Sequence, residues 1–351
     1  MRAVTYRAPR EFLVSNEREV PLRSGELRLR VLASGLCGTD LHIHEGGFGA
    51  KFPITPGHEI IGEVIEKGAE SGALAVGSRV AVDNVMPCGH CSQCQDGRSE
   101  LCAHLSALGL THPGGAAEYV IASAEKCVSI GDLDLNTAIL AEPTACVVHG
   151  LDVLQLKPAS DVLVIGAGPT GQILSQLLVR GGASRVTVAA PTQFKLDVAK
   201  RNGASMTLRT QRSDFGASVP ELRDVSPDGF DVVIDATGEG SVLRHCVSLV
   251  RGGGTLMVYG MSDENVRIDI NPYEIFRREL TIKGSFAQTN CVARAVRLLQ
   301  GGGVVSDGIV THRFGLDCYG EALAALRSRS CLKAVIVPEM LASDTSDGEL
   351  R

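Results

Sequence analysis

Over roughly the first 145 positions, apolar residues come in short runs broken by Gly, Pro and Asp, the punctuation of strands and turns. Residues 26–33 (ELRLRVLA) alternate as a half-buried strand does, and 59–66 (EIIGEVIE) and 78–83 (SRVAVD) read as further strands, with Gly77-Ser78 as the turn before the latter. The pattern changes at Asp161. There a continuous apolar run, DVLVI, is followed by a glycine-rich turn and then by Ile173, Leu174, Leu177 and Leu178, the apolar stripe of a helix that Gly181-Gly182 ends. Strand 185–190, helix 193–202 and strands 230–236 and 254–259 continue the alternation, which predicts a parallel doubly wound sheet. A strand over 332–337 and a polar tail at 343–348 close the chain. The fold class expected is α/β with two domains: a β-rich one from 1–150 and 290–351, and the doubly wound one from 151–289.

Length agrees, since 351 residues exceed what one compact core usually holds. No apolar run is long enough to span a bilayer, and the N-terminus reads as a first strand rather than a signal peptide. A net charge of −6 with mixed signs gives no footprint for nucleic acid. Forty glycines suit tight turns and close backbone approaches. Eleven cysteines without a secretory signal point to a cytoplasmic protein whose thiols are metal ligands or core residues. Cys88, Cys91, Cys94 and Cys102 form C-x2-C-x2-C-x7-C in one loop, 88–102, and four thiolates so spaced can wrap a structural zinc with no open position. Four unrelated loop thiols would instead be exposed and reactive. His90 and His104 interleave with them, but the cysteines already fill the coordination sphere.

A second chemical constellation is Cys37-Gly38-Thr39-Asp40-Leu41-His42, a thiol, a hydroxyl, a carboxylate and an imidazole within six residues. A lone Cys beside Gly is ordinarily a small core residue. Pro56-Gly57-His58-Glu59 changes that, because Cys37, His58 and Glu59 together supply the S, N and O donors of a catalytic zinc that keeps one position free. The third is Gly166-x-Gly168-x-x-Gly171, placed between a strand and a helix with Pro169 in the helix's first turn, where dinucleotide pyrophosphate sits on the helix N-terminus. Gly166, Gly168, Pro169, Thr170, Gly171, Ala190, Thr192, Lys195 and Thr237 are the candidate cofactor contacts. The acid that would hold the ribose of NAD is missing, since the second strand ends in Ala189-Ala190 and continues Pro-Thr-Gln-Phe-Lys195. NADP is therefore the expected coenzyme, with NAD possible. Lys195 is the cation nearest in sequence for its 2′-phosphate and Arg201 a more distant one; both could equally be charges solvating a helix face.

The joint order of these motifs resembles the zinc-dependent medium-chain dehydrogenase/reductases, on their polyol (sorbitol- and arabitol-like) side, over nearly the whole chain. The resemblance implies a GroES-like catalytic domain, an inserted Rossmann domain, an active site between them, and hydride transfer between NAD(P) and a secondary alcohol: a polyol, sugar alcohol or cyclitol. It implies one catalytic and one structural zinc, with Cys37, His58 and Glu59 as catalytic ligands and Glu142, in Glu142-Pro143, at or near the metal, Cys146 being the alternative. It makes Thr39 the group that takes the alcohol proton, His42 its relay to solvent, and Asp40 an orienting carboxylate. A homodimer or homotetramer is implied on the same ground, with subunit contacts near 254–259 and 279–286. Ala287-Gln288 stands where sorbitol-type enzymes carry Arg-Tyr. His44 and Phe48 are either cleft or surface-loop residues, the six remaining cysteines core thiols, and His149 and His245 structural. Two rivals are a threonine-type amino-alcohol dehydrogenase, against which Glu142-Pro143 leans, and a non-catalytic NADP(H)-binding protein, which need not retain every chemical part.

Overall fold

In the computed structural model, residues 1–340 are described, so the polar tail lies outside them. The described residues form two compact units, 1–145 with 288–302 and 308–340, and 146–287 with 303–307. The first division falls inside helix Ala141–Leu154, so no linker composition marks it.

The first unit is built on a seven-stranded sheet, ordered Val310–Phe314, Lys333–Ile336, Glu26–Leu36, Glu59–Lys67, Arg79–Val82 and Cys127–Ser129, with Tyr119–Ser123 also pairing Glu26–Leu36. Leu27, Leu29, Val31, Ile60, Val64, Val80 and Val82 pack into one core on this sheet. Helix Tyr319–Ser328 contributes Ala322 and Leu323 to a second core with Val4, Tyr6, Leu36 and Ile336. Strand Glu26–Leu36 is central, and Gly35 faces Glu59 on one neighbour and Val335 on the other. That register puts the residues just beyond one strand's end next to those beginning two others.

The second unit holds a six-stranded parallel sheet ordered Met206–Arg209, Arg185–Ala190, Asp161–Ile165, Phe230–Asp235, Val250–Val258 and Thr281–Gly284. Numbered along the chain this is 3-2-1-4-5-6, whose direction reverses between the first and fourth strands, the point where dinucleotides bind. Leu163, Ile165, Phe230, Val233 and Leu256 fill its core, the continuous apolar composition expected of strands covered on both faces. Among the described residues no helix is long and apolar enough to cross a membrane.

Gly57 sets the entry to strand Glu59–Lys67. Its φ of +94° is one that side-chain-bearing residues rarely adopt, and a Cβ there would lie 2.6 Å from Ser34 Oγ and 2.7 Å from Ala116 N. Gly57→Ala is expected to cost about 1–3 kcal/mol through strain and overpacking. Chemical denaturation would measure it.

Candidate functional site

The stretch after strand Glu26–Leu36 forms a short helix, Gly38–His44, which the sequence pattern did not predict. Cys37 occupies its N-cap: its Sγ accepts from Thr39 N (3.3 Å), and Asp40 Oδ2 accepts from Cys37 N (2.9 Å). This capping pair fixes the thiol at the mouth of the helix. His58 arrives from the neighbouring strand's start with Nε2 3.1 Å from Cys37 Sγ, and one donor atom each from Cys37, His58 and Glu59 lies within 4.8 Å of the others.

His58, Glu59 and Asp40 are all buried. Burial works against a charge on His58, but Cys37 and Asp40 outweigh it and hold its pKa well above 6.5, with Glu142 adding to the effect. Burial likewise pushes the Asp40 carboxyl up, with His58 opposing. His58 Nδ1 and Asp40 Oδ1 face each other at 4.0 Å, neither with a hydrogen-bond partner. The site is thus an S/N/O donor set, with the imidazole and carboxylate buried and the thiol half-buried, in a field that favours a cation, which fits zinc. Glu142 is half-buried in the same compact unit, whereas Cys146, one helical turn later, belongs to the other unit.

Sequence reasoning missed Lys333. It is 1% exposed, its Nζ donates to Leu36 O (3.2 Å) and it forms an ion pair with Glu59 Oε2. Burial works against its charge, while Glu59 and Cys37 raise its pKa above the ordinary value. Gly35 makes room for the pair, since a Cβ there would meet both Glu59 and Lys333 side chains. A signal existed: Lys333 is the only charge in the apolar run Leu332 to Val337, and a lysine inside a buried strand needs a partner.

Cys88, Cys91, Cys94 and Cys102 bring their sulfurs together, with Cys91 3.5 Å from Cys94 and 3.8 Å from Cys102. Four sulfurs bound at 2.3 Å around one zinc would stand about 3.8 Å apart, so the loop is shaped for that ion. Backbone N–H groups of Cys94 and Ala103 bring the Cys91 thiol down to about 6, and those of Cys88 and His104 donate to Cys102 Sγ, each at 3.3 Å. His90 and His104 stack on each other outside the sulfur cluster.

The glycine turn divides its work three ways. Gly166 has φ +115° and packs on Ala236 and Thr237 across the switch point, a Cβ on Gly168 would point into open space, and one on Gly171 would strike Gly166 O. Gly168 is the N-cap of helix Pro169–Arg180, with no side chain covering its first N–H groups, and Pro169 begins the first turn. This leaves a cradle at a helix N-terminus that a dinucleotide's pyrophosphate fits. Thr170 lies in that first turn, while Thr237 donates its N–H (2.9 Å) and hydroxyl (2.6 Å) to Asp235 Oδ1. Ala190 ends its strand and Thr192 is the N-cap of helix Gln193–Arg201. Lys195 holds its Nζ 5.6 Å above the Phe194 ring, in the helix's first turn. Arg201 closes the other end of that helix against Asp307 at 3.8 Å, which removes it from the ribose end.

His44 is not a cleft residue: its Nδ1 meets Tyr6 OH at 2.8 Å and its ring packs edge-on against Tyr6 and Phe12. Gln288 donates to Asp83 Oδ1 (2.8 Å) and accepts from Cys291 N (3.1 Å), a buried structural role. Of the six other cysteines, Cys127, Cys246, Cys291, Cys318 and Cys331 are buried and Cys146 is half-buried.

Lys333→Met would leave Glu59 as an unpaired buried carboxylate. It is expected to lower stability by about 3–5 kcal/mol, read from urea unfolding, with Lys333→Arg recovering part of the loss.

Comparison with known proteins agrees with this geometry. Residues 23–132 match the alcohol dehydrogenase GroES-like domain and residues 169–301 the zinc-binding dehydrogenase domain. The chain is 44% identical to D-arabinitol dehydrogenase 1 of Uromyces fabae, over 96% of its own length and 97% of that protein's. It is 36% identical to D-altritol 5-dehydrogenase of Agrobacterium fabrum, over 84% and 87%. A zinc-binding dehydrogenase of Sinorhizobium meliloti 1021, crystallised bound to NADP, superposes with a TM-score of 0.90 at 30% identity, covering 96% of this chain and 99% of the other. With its motifs, two-unit fold and full-length relatives in agreement, the chain belongs to the zinc-dependent medium-chain dehydrogenase/reductases, on their polyol branch, and is an NAD(P)-dependent alcohol oxidoreductase.

Proposed function

We propose that this protein oxidises an acyclic sugar alcohol of the arabinitol or altritol type at a secondary carbon, with NADP as preferred coenzyme, and reduces the matching ketose in reverse. The observation that carries this is the convergence of Cys37, His58 and Glu59 on a helix that also bears Thr39 and His42. Zinc held by Cys37, His58 and Glu59, with Glu142 close by, supplies a Lewis acid that makes an alcohol hydroxyl easier to deprotonate. Thr39 and His42 stand three residues apart on one helix and so share a face. The Thr39 hydroxyl takes the substrate proton as it gives up its own outward, and His42, half-buried one turn further on, accepts a proton from this relay and releases one to solvent. Asp40 holds the Cys37 backbone and places a carboxylate 4.0 Å from the His58 ring. The glycine turn holds the coenzyme pyrophosphate, Cys88, Cys91, Cys94 and Cys102 hold a structural zinc, and the eleven free thiols suit a reducing cytoplasm. The absence of an acid at Ala190, together with the NADP-bound relative, supports NADP over NAD.

Assays with D-arabinitol, D-altritol, sorbitol, a cyclitol and L-threonine, each with both coenzymes, test the reading. Polyol oxidation with a kcat/KM for NADP at least about tenfold above that for NAD is expected, a difference one or two charge-assisted hydrogen bonds supply. His58→Ala and chelation should both abolish it, and turnover untouched by loss of the metal would overturn the mechanism.

We further propose a homo-oligomer. Thr281–Gly284 is an edge strand, and beside it Phe276 is 79% exposed, with Tyr273, Ile282 and Phe286 also open. An open edge lined by apolar side chains invites pairing with the same edge of a second copy. Ile282→Lys is expected to shift the mass measured by light scattering towards the single chain.

A further inference from the structure

We propose that Arg212 selects the phosphorylated dinucleotide, closing on the 2′-phosphate of NADP from the loop that follows strand Met206–Arg209. The inference rests on the NADP reading and names the residue responsible for it. In this fold the adenosine ribose lies at the carboxyl end of the second strand, here Arg185–Ala190. Nothing in Ala190, Pro191 or Thr192 can repel or bind a phosphate by charge.

The third strand supplies what is missing. It runs parallel to the second with Arg209 in register with Ala190, and Thr210 N donates to Ala190 O at 3.0 Å. Gln211 N donates to Ser218 Oγ at 2.9 Å, which fixes the loop as it leaves. The next residue, Arg212, places Nη2 2.7 Å from Thr192 Oγ1. Thr192 occupies a helix N-cap, where its hydroxyl would ordinarily accept from the helix's own N–H groups, yet it makes no such bond. The hydroxyl instead receives the guanidinium of Arg212, three residues beyond the strand's end.

Arg212 is exposed and forms no ion pair with an acid among the described residues. Other arginines of this unit are committed: Arg185 to Asp161, Arg201 to Asp307 and Arg251 to Asp231. The acid nearest Thr192 on its own helix, Asp197, accepts instead from Gln193 Nε2 at 2.8 Å. A guanidinium that spends one donor on a neutral hydroxyl keeps the rest of its fork for a phosphate, whose geometry it matches in bidentate fashion. Lys195, in the first turn of the Thr192-capped helix, and Arg209, in register with Ala190, add positive charge, and Arg212 is tethered to Thr192 itself.

Calorimetry with adenosine 2′,5′-bisphosphate and with 5′-AMP isolates the 2′-phosphate without any turnover. The wild-type protein is expected to bind the bisphosphate at least about tenfold more tightly than 5′-AMP. Arg212→Ala should weaken bisphosphate binding about 10- to 100-fold, the worth of charge-assisted hydrogen bonds, and leave 5′-AMP binding unchanged, which also reports that the unit is folded. Arg212→Lys should restore part of it, and Thr192→Val, which removes the tether, should lose several-fold. If wild type binds the two ligands equally, the NADP reading falls and this assignment with it. If wild type prefers the bisphosphate and Arg212→Ala keeps that preference, or Lys195→Ala alone removes it, NADP stands and Arg212 is overturned.

Discussion

The structure of the catalytic unit depends on one buried ion pair, Glu59 with Lys333, set at the register point where three strands meet around Gly35. Cys37, Asp40, Glu59 and Glu142 bring potential negative charge to one small volume, against which the chain sets His58 and Lys333. Buried charges persist only when paired, so Lys333 satisfies part of this excess and leaves the remainder for a bound cation. The same glycine that allows Glu59 to approach Lys333 makes the site sensitive to the register of the whole sheet. Metal affinity and fold stability are therefore coupled through the same few atoms.

The four-cysteine loop solves a similar problem locally. Its thiols lie within fifteen residues, and backbone N–H groups of the loop itself favour the thiolate form of Cys91 and Cys102. No distant strand is needed to assemble it. Spacing alone could therefore reveal it, and the sulfur separations have the edge lengths of a zinc tetrahedron.

That contrast accounts for what was legible in the sequence. The parallel-sheet unit was readable because each strand, turn and helix carries its own periodicity; strand Arg185–Ala190 matches its predicted bounds and Gly168 caps the helix where the fingerprint puts it. Cys37, His58 and Glu59 were legible as a chemical set, though not as a geometry. Lys333 was not found, being 274 residues from Glu59 and placed there only by sheet register. Arg212 was missed for a related reason. Strand Met206–Arg209 is short and half exposed, with little apolar signal, and the arginine's position follows from its pairing rather than from any motif. His44 was read ambiguously because an imidazole near a relay histidine looks chemical, whereas Tyr6, thirty-eight residues earlier, claims it.

The His44 contact has a consequence for the chemistry beside it. Helix Gly38–His44 is seven residues long, far below the length at which an isolated helix holds its shape in water. It is pinned at both ends instead. At its start Cys37 and Asp40 exchange cap bonds, and at its finish His44 is tied to Tyr6 inside an aromatic cluster with Phe12 and Tyr319. Thr39 and His42 lie between these two anchors, so neither has to be ordered when substrate arrives. The proton path proposed for Thr39 and His42 requires such fixed positions, because a displacement of even an ångström is enough to break a hydrogen bond. His44 thus anchors the helix that carries His42, the proposed relay, and the aromatic core behind it is the support of that helix.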